Sequence, residues 1–135
     1  MTLTEFAQRV LTELEEVWNQ DIGVLINAIQ IPGSNEERLV AFERALSELV
    51  YAGYVELGME TFSPLNYDVL AKEQSVELCS NLGAWLSRNG NDPWKVGSGD
   101  RRVGTYPAAL ITEAGLVEAR NILRNRGYQW WRRSK

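Results

Sequence analysis

Residues 34–59, SNEERLVAFERALSELVYAGYVELGM, predict a helix that runs directly into a strand. Ser34 and Glu37 have the spacing of a capping box, in which each side chain caps the other residue's backbone N–H. Gly53 stands where a left-handed helix end is needed, and residues 54–57 then alternate as a strand does. The apolar residues of the helix recur on one face, namely Leu39, Phe42, Leu46 and Leu49.

Residues 106–124, YPAALITEAGLVEARNILR, predict the opposite order, a strand followed by a helix. Thr112 is placed to cap this helix, Gly127 ends it, and Pro107 favours an edge or a bulge in the strand. We expect residues 54–57 and 106–111 to pair in a small antiparallel sheet. One core should contain Leu46, Leu49, Val55, Leu57, Leu116, Ala119 and Leu123.

The N-terminal third predicts one helix and leaves a second element open. Thr2 and Glu5 have capping-box spacing, and apolar residues then recur at helical spacing over residues 3–18. Residues 24–31 are apolar enough to form a second, buried helix or the end of the first.

Between the two main stretches, the sequence predicts an inserted helix and a hairpin. Ser63 and Pro64 suit the N-cap and N1 positions of a helix that we expect at about 64–88. Residues 94–96 and 101–103 suit two short strands around a glycine-rich tip.

The composition is that of one globular domain, because 44% of the 135 residues are hydrophobic and 24% are charged. No apolar run is long enough for a membrane span, and we expect a cytoplasmic protein. The chain has no histidine and one cysteine, Cys79, which we expect in the core. Since histidine is the commonest general base and metal ligand, we expect no enzyme, metal or other cofactor.

The charge changes sign along the chain. Residues 1–100 hold six Lys or Arg against sixteen Asp or Glu, a net of −10. Residues 101–135 hold eight against two, a net of +6. Such asymmetry indicates a basic end that meets an anion or docks on the protein's own acidic part.

Residues 45–57, ALSELVYAGYVEL, and the pattern YxxxLITEAGLxEAR at 106–120 resemble parts of winged-helix transcription regulators. The resemblance implies a single α+β domain of winged-helix type, with four to five helices and an inserted helix. Residues 35–52 would enter the major groove, and the hairpin around 97–102 would be the wing. Such domains often pair through terminal helices, so the helix over 3–18 is a predicted homodimer surface.

The predicted groove-entering helix is acidic, and duplex DNA repels acidic surfaces. Nucleic-acid contacts are therefore expected from the wing and the basic C-terminal third: Lys95, Arg101, Arg102, Arg120, Arg124, Arg126, Arg132 and Arg133. The hairpin residues could instead keep an exposed edge soluble, and those of the C-terminal third could neutralise the acidic N-terminal helix. Trp130 and Trp131, in a basic tail at 128–135, are predicted partner anchors or a cover over the core.

Two functions follow. The first is a DNA-binding regulator that contacts double-stranded DNA through the wing and the basic C-terminal segment. The second is a non-enzymatic protein-interaction module, an adaptor or inhibitor, that offers an acidic surface to a basic protein partner.

Overall fold

The computed structural model describes residues 3–62, 65–96 and 106–133. This part of the chain contains six α-helices, six strands and one turn of 3-10 helix at Leu82–Ala84. The helices are α1 (Glu5–Val17), α2 (Ile22–Ala28), α3 (Asn35–Ala52), α4 (Lys72–Cys79), α5 (Glu113–Arg126) and α6 (Trp130–Arg133). The strands are β1 (Asn19–Asp21), β2 (Val55–Phe62), β3 (Leu65–Val69), β4 (Leu86–Ser87), β5 (Lys95–Val96) and β6 (Tyr106–Ile111).

Four strands form one antiparallel sheet in the order β1-β6-β2-β3, and β4 pairs with β5 in a separate ribbon. The expected α+β class, with a small antiparallel sheet, is therefore confirmed. The described helices number six rather than four to five, because α6 was not expected to be a helix.

The predicted pairing of the two distant stretches is also confirmed. Val55 lies opposite Ile111 and Glu60 lies opposite Tyr106, so β2 and β6 are antiparallel neighbours over their common length. Beyond the strands, Thr112 N–H donates to the Tyr54 carbonyl at 3.0 Å. Because β6 also pairs with β1, the last strand of the chain lies inside the sheet.

Local sequence rules explain how α3 and α5 begin and end. The Ser34–Glu37 capping box is present at the start of α3, and Gly53 ends that helix at a φ of 80°, in the left-handed region. The Thr112 hydroxyl accepts from Gly115 N–H at 3.0 Å and so caps α5. Pro107 lies one residue beyond Ala108, the last β6 residue paired with β1, so its missing N–H leaves that pairing intact.

The predicted helix at about 64–88 is wrong over the residues that the structure describes. That range contains β3, α4, the 3-10 turn and β4. The apolar residues from Val69 to Leu86 have helical spacing, but they belong to separate short elements. β2 continues to Phe62 and forms a hairpin with β3, which makes residues 65–69 extended. Residues 63 and 64, the expected helix start, lie outside the described residues.

Three smaller expectations are also corrected or decided. β5 pairs with β4, whereas residues 101–103 and the expected glycine-rich tip lie outside the described part, so the predicted hairpin stays a prediction. The capping residue of α1 is Thr4, without a side-chain cap, and Thr2 is outside the described residues. Residues 22–28 form a helix separate from α1, because Asp21 accepts a hydrogen bond from Val24 N–H and caps α2.

One buried cluster spans the helices and the sheet. It contains Leu46, Leu49, Val55, Leu57 and Ala119, as expected, and also Cys79. Leu116 is buried outside this cluster, whereas Leu123 is only partly buried and Ile122 takes the inward position instead. The apolar face of α1, where a homodimer surface was expected, is buried against α3 and α5, and the homodimer itself stays a prediction.

Residues 65–96, which we call the insert, begin with β3 in the main sheet and then pack along one side of α2 and α3. Glu43 on α3 accepts a hydrogen bond from Leu82 N–H at 3.1 Å. Asn27 on α2 both donates to and accepts from the Trp94 backbone, at 3.1 and 2.9 Å. Gly23 lies so close to β5 that an added Cβ would stand 3.1 Å from the backbone nitrogen of Val96. The insert therefore belongs to the same folded body as the helices.

Candidate functional site

The basic C-terminal third is held by the acidic helix α1. Arg126 Nη1 lies 2.7 Å from Glu5 Oε1, Arg120 Nε lies 3.5 Å from Glu15 Oε2, and Arg132 Nη2 lies 3.4 Å from Glu13 Oε1. Three of the eight residues predicted to contact nucleic acid thus form ion pairs inside the chain. These pairs agree with the alternative interpretation, in which the basic segment neutralises the N-terminal helix.

The two C-terminal tryptophans cover the protein's own core. Trp131 is only 6% exposed, and its indole N–H donates to the Ala28 carbonyl at 3.3 Å. Trp130 is half-buried, donates to Glu5 and lies under the Arg126 guanidinium, 4.3 Å from the ring centroid. The two rings meet edge to face at 4.8 Å. Residues 130–133 therefore form a docked helix rather than a free tail.

Two carboxyl groups of these ion pairs have pKa values that are shifted in opposite directions. Partial burial raises the pKa of Glu5, but hydrogen bonds from Arg126 and Trp130 outweigh it and hold the net pKa below its usual value. Glu13 is only 8% exposed, and desolvation raises its pKa, with Arg132 opposing and Glu16 adding to the shift. Glu5 therefore favours docking as a carboxylate, whereas the charge on Glu13 costs stability.

The other predicted contact residues are spread over separate surfaces. Lys95 is exposed on β5 and forms no ion pair with a described residue. Arg124 is exposed near the end of α5 and donates to Asn121. Arg133 belongs to α6, and Arg101 and Arg102 lie outside the described residues. The described part thus brings Arg120, Arg126 and Arg132 together on α1 and leaves Lys95 and Arg124 apart.

The outward surface of α3 is acidic and partly apolar. Val40 is 45% exposed and Tyr51 is 64% exposed, and Glu36, Glu37 and Arg44 are exposed between and beside them. The neighbouring helix α4 adds exposed Lys72, Glu73 and Glu77. We call the exposed residues of these two helices the α3–α4 face, and its four acids outnumber Arg44 and Lys72.

The structure adds little that suggests catalysis. Burial raises the pKa of the Cys79 thiol to about 11, so it is a core residue rather than a reactive nucleophile. In the part of the chain that the structure covers, His, Cys, Asp and Glu form no group that could hold a metal ion. Within the same residues, no helix has both the length and the apolar character needed to cross a membrane.

Comparison with protein-family models, with curated proteins and with solved structures finds no match to this chain. The geometry of its own residues is therefore the basis for any function.

Sequence reasoning missed the position of the insert against α3. That packing depends on contacts such as Glu43 with Leu82, which are 39 residues apart and have no local sequence pattern. The acidic partners of the basic segment were partly foreseeable, because Glu5, Glu13 and Glu15 all lie on the predicted N-terminal helix.

Proposed function

We propose that this chain is a non-enzymatic interaction module of winged-helix type, which presents its α3–α4 face to a basic protein partner. The order α1-β1-α2-α3-β2 followed by β6 supports the winged-helix assignment, as does the sheet order β1-β6-β2. In this scheme α2 is the helix that must precede α3, and the insert lies between the two wing strands.

One observation carries the choice of a protein partner: the basic segment is already paired with α1 through Glu5, Glu13 and Glu15. These three arginines are thus engaged within the chain rather than available to phosphates, and the formal net charge of the chain is −4. Affinity for duplex DNA depends mainly on cations that displace counterions from phosphates. A basic partner matches the remaining exposed charge better than a polyanion does.

The packing of α3 also favours this choice. A major groove about 12 Å wide admits one helix, whose diameter with side chains is about 10–12 Å. The 3-10 turn and α4 lie along one side of α3, with Leu82 N–H bonded to Glu43 and Lys72 Nζ bonded to the Tyr51 carbonyl at 3.4 Å. A groove that received α3 would therefore have to accommodate α4 and the 3-10 turn beside it.

The test is a pair of fluorescence-anisotropy titrations of the whole chain, one with a labelled Lys/Arg-rich peptide and one with labelled random duplex DNA. Each is run at low and at moderate salt. We expect peptide binding that weakens with salt, and Glu77→Lys on the α3–α4 face should reduce it. Asp68→Lys, on the exposed β3, is the matched control because it changes the net charge equally.

Duplex binding with a steep salt dependence, together with no peptide binding, would overturn this proposal. Equal loss of peptide binding in the Glu77 and Asp68 variants would also overturn it, because the effect would then reflect net charge alone.

A DNA-binding regulator is the second candidate, and the sheet order and exposed Lys95 favour it. In that case the contacts come from Lys95, Arg101 and Arg102 at the wing. Lys95→Ala should then weaken duplex binding and lower the dependence of the binding constant on salt concentration.

A further inference from the structure

We propose that a cavity at the start of α3, lined by Arg38 and Arg88, is a binding site for a phosphate group. The cavity has a volume of about 110 Å³ and lies between α2, α3 and the insert. No residue that lines it is acidic: the lining consists of Ile26, Asn27, Gln30, Ile31, Arg38, Arg88 and Trp94. This site is independent of the α3–α4 face.

The Arg38 guanidinium includes one buried donor that lacks an acceptor. Its Nε is fully buried and has no hydrogen-bond partner, and no other atom of its guanidinium bonds to a described residue. A buried donor without a partner costs free energy, and native proteins satisfy nearly all such groups. An oxyanion in the cavity would supply the missing acceptor and a charge opposite to that of the guanidinium.

Arg88 supplies a second, fixed positive charge. Its guanidinium donates to the Asn35 side chain at 3.1 Å, to the Asp92 carbonyl at 2.7 Å and to the Asn91 carbonyl at 3.3 Å. These three acceptors are neutral, so they orient the guanidinium without neutralising it. The bond to Asn35 also holds Arg88 at the first residue of α3, where the helix dipole adds positive potential.

The rest of the lining suits a ligand that enters from solvent. Asn27 and Gln30 are exposed, and Asn27 fixes the Trp94 backbone through two hydrogen bonds. A cavity of about 10–15 Å³ holds one water molecule. The present cavity is several times larger and has room for a tetrahedral oxyanion. A phosphate monoester carries about −1.5 to −2 charges at neutral pH, which balances two guanidinium groups.

The experiment is an NMR titration of the full chain that follows the Arg38 Nε–H and Trp94 indole resonances. The probes are inorganic phosphate, phenyl phosphate and a short random duplex, each at constant ionic strength. We expect saturable shifts with the first two, and the dissociation constant should rise about tenfold or more in Arg38→Gln. Arg44→Gln is the matched control, because Arg44 is exposed on the same helix and lines no part of this cavity.

The duplex arm identifies the source of the phosphate. If duplex DNA competes with inorganic phosphate, the site takes a backbone phosphate, and if it does not, the site takes a small phosphate compound. The proposal is overturned if no probe gives saturable shifts at tens of millimolar, or if Arg38→Gln and Arg44→Gln weaken binding equally. Arg38→Lys replaces Arg38→Gln if the latter does not fold, and it should also bind phosphate more weakly because it lacks the planar fork.

Discussion

Gly115, in the first turn of α5, lies where β2, β6 and the helix meet. A Cβ added there would collide with the Tyr54 carbonyl oxygen, and it would stand 2.9 Å from Ile111 Cγ1. The collision with backbone cannot be relieved by a side-chain rotation. The absence of a side chain at residue 115 therefore sets how closely α5 approaches the sheet.

We expect Gly115→Ala to lower the free energy of unfolding by about 3 kcal/mol, because the helix must shift away from the β2–β6 pair. Chemical denaturation followed by circular dichroism measures the change. Gly83→Ala is the matched control, since its new Cβ would meet only the flexible end of Leu39, at 3.2 Å. If Gly115→Ala loses no more unfolding free energy than Gly83→Ala, the close approach of α5 to the sheet is contradicted.

Glu5 and Glu13 should show opposite effects of pH. The folded-state pKa of Glu5 is lowered, so its contribution to stability is present above its unfolded value and disappears as pH falls through the folded pKa. The folded-state pKa of Glu13 is raised, so a cost appears as pH rises from the unfolded pKa through the folded one.

At neutral pH, Glu5→Gln should therefore destabilise the fold and Glu13→Gln should stabilise it, each by less than about 1 kcal/mol. Both differences from the unmodified chain should vanish in acid. Urea unfolding at a series of pH values between about 3 and 7 measures them. If both variants change stability in the same direction at neutral pH, the opposite pKa shifts of Glu5 and Glu13 are contradicted.

At the scale of elements, α6 is attached to α2 by Trp131 and Arg132, which both donate to the Ala28 carbonyl. This carbonyl belongs to the last residue of α2, so a single acceptor joins α6 to α2. The exposed Trp18, by comparison, has a φ of 70° and a side chain 55% exposed. The sequence places tryptophans in two very different environments.

Trp131→Ala should lower the free energy of unfolding by about 3 kcal/mol, since it removes a large buried side chain and one hydrogen bond. Trp18→Ala should change it far less, because little apolar area is buried there. Thermal and denaturant unfolding compare the two variants. If Trp131→Ala lowers the free energy of unfolding no more than Trp18→Ala does, then α6 is not docked on the body.

Local sequence patterns predicted α3 and α5 well, because Ser34, Gly53 and Thr112 act on residues within one helical turn of themselves. They failed over residues 65–88, where apolar spacing alone cannot distinguish one helix from several short elements. Tyr67 in β3 shows the reason: its hydroxyl donates to the Asn19 side chain at 2.9 Å, a contact 48 residues away in the sequence. The cavity was not predictable for the same reason, since the fold of the insert brings Arg88 to the cavity that Arg38 also lines.

At the scale of the whole molecule, the insert and the sheet share one buried core through Cys79, Leu82, Leu86 and Val96. The chain should therefore unfold in a single cooperative transition rather than lose the insert first. Circular dichroism should give the same midpoint as the Trp94 indole resonance, which reports on the insert. An earlier transition at Trp94 would mean that the insert is a separately stable unit.

The place of β6 inside the sheet has a consequence for synthesis on the ribosome. β1 and β2 are not neighbours in the sheet, and both pair with β6, which is translated only at residues 106–111. Until β6 leaves the exit tunnel, β1 has no strand to pair with, and the β2 edge of the β2–β3 hairpin stays unpaired. Chaperones that bind extended apolar segments would have their longest opportunity during this interval.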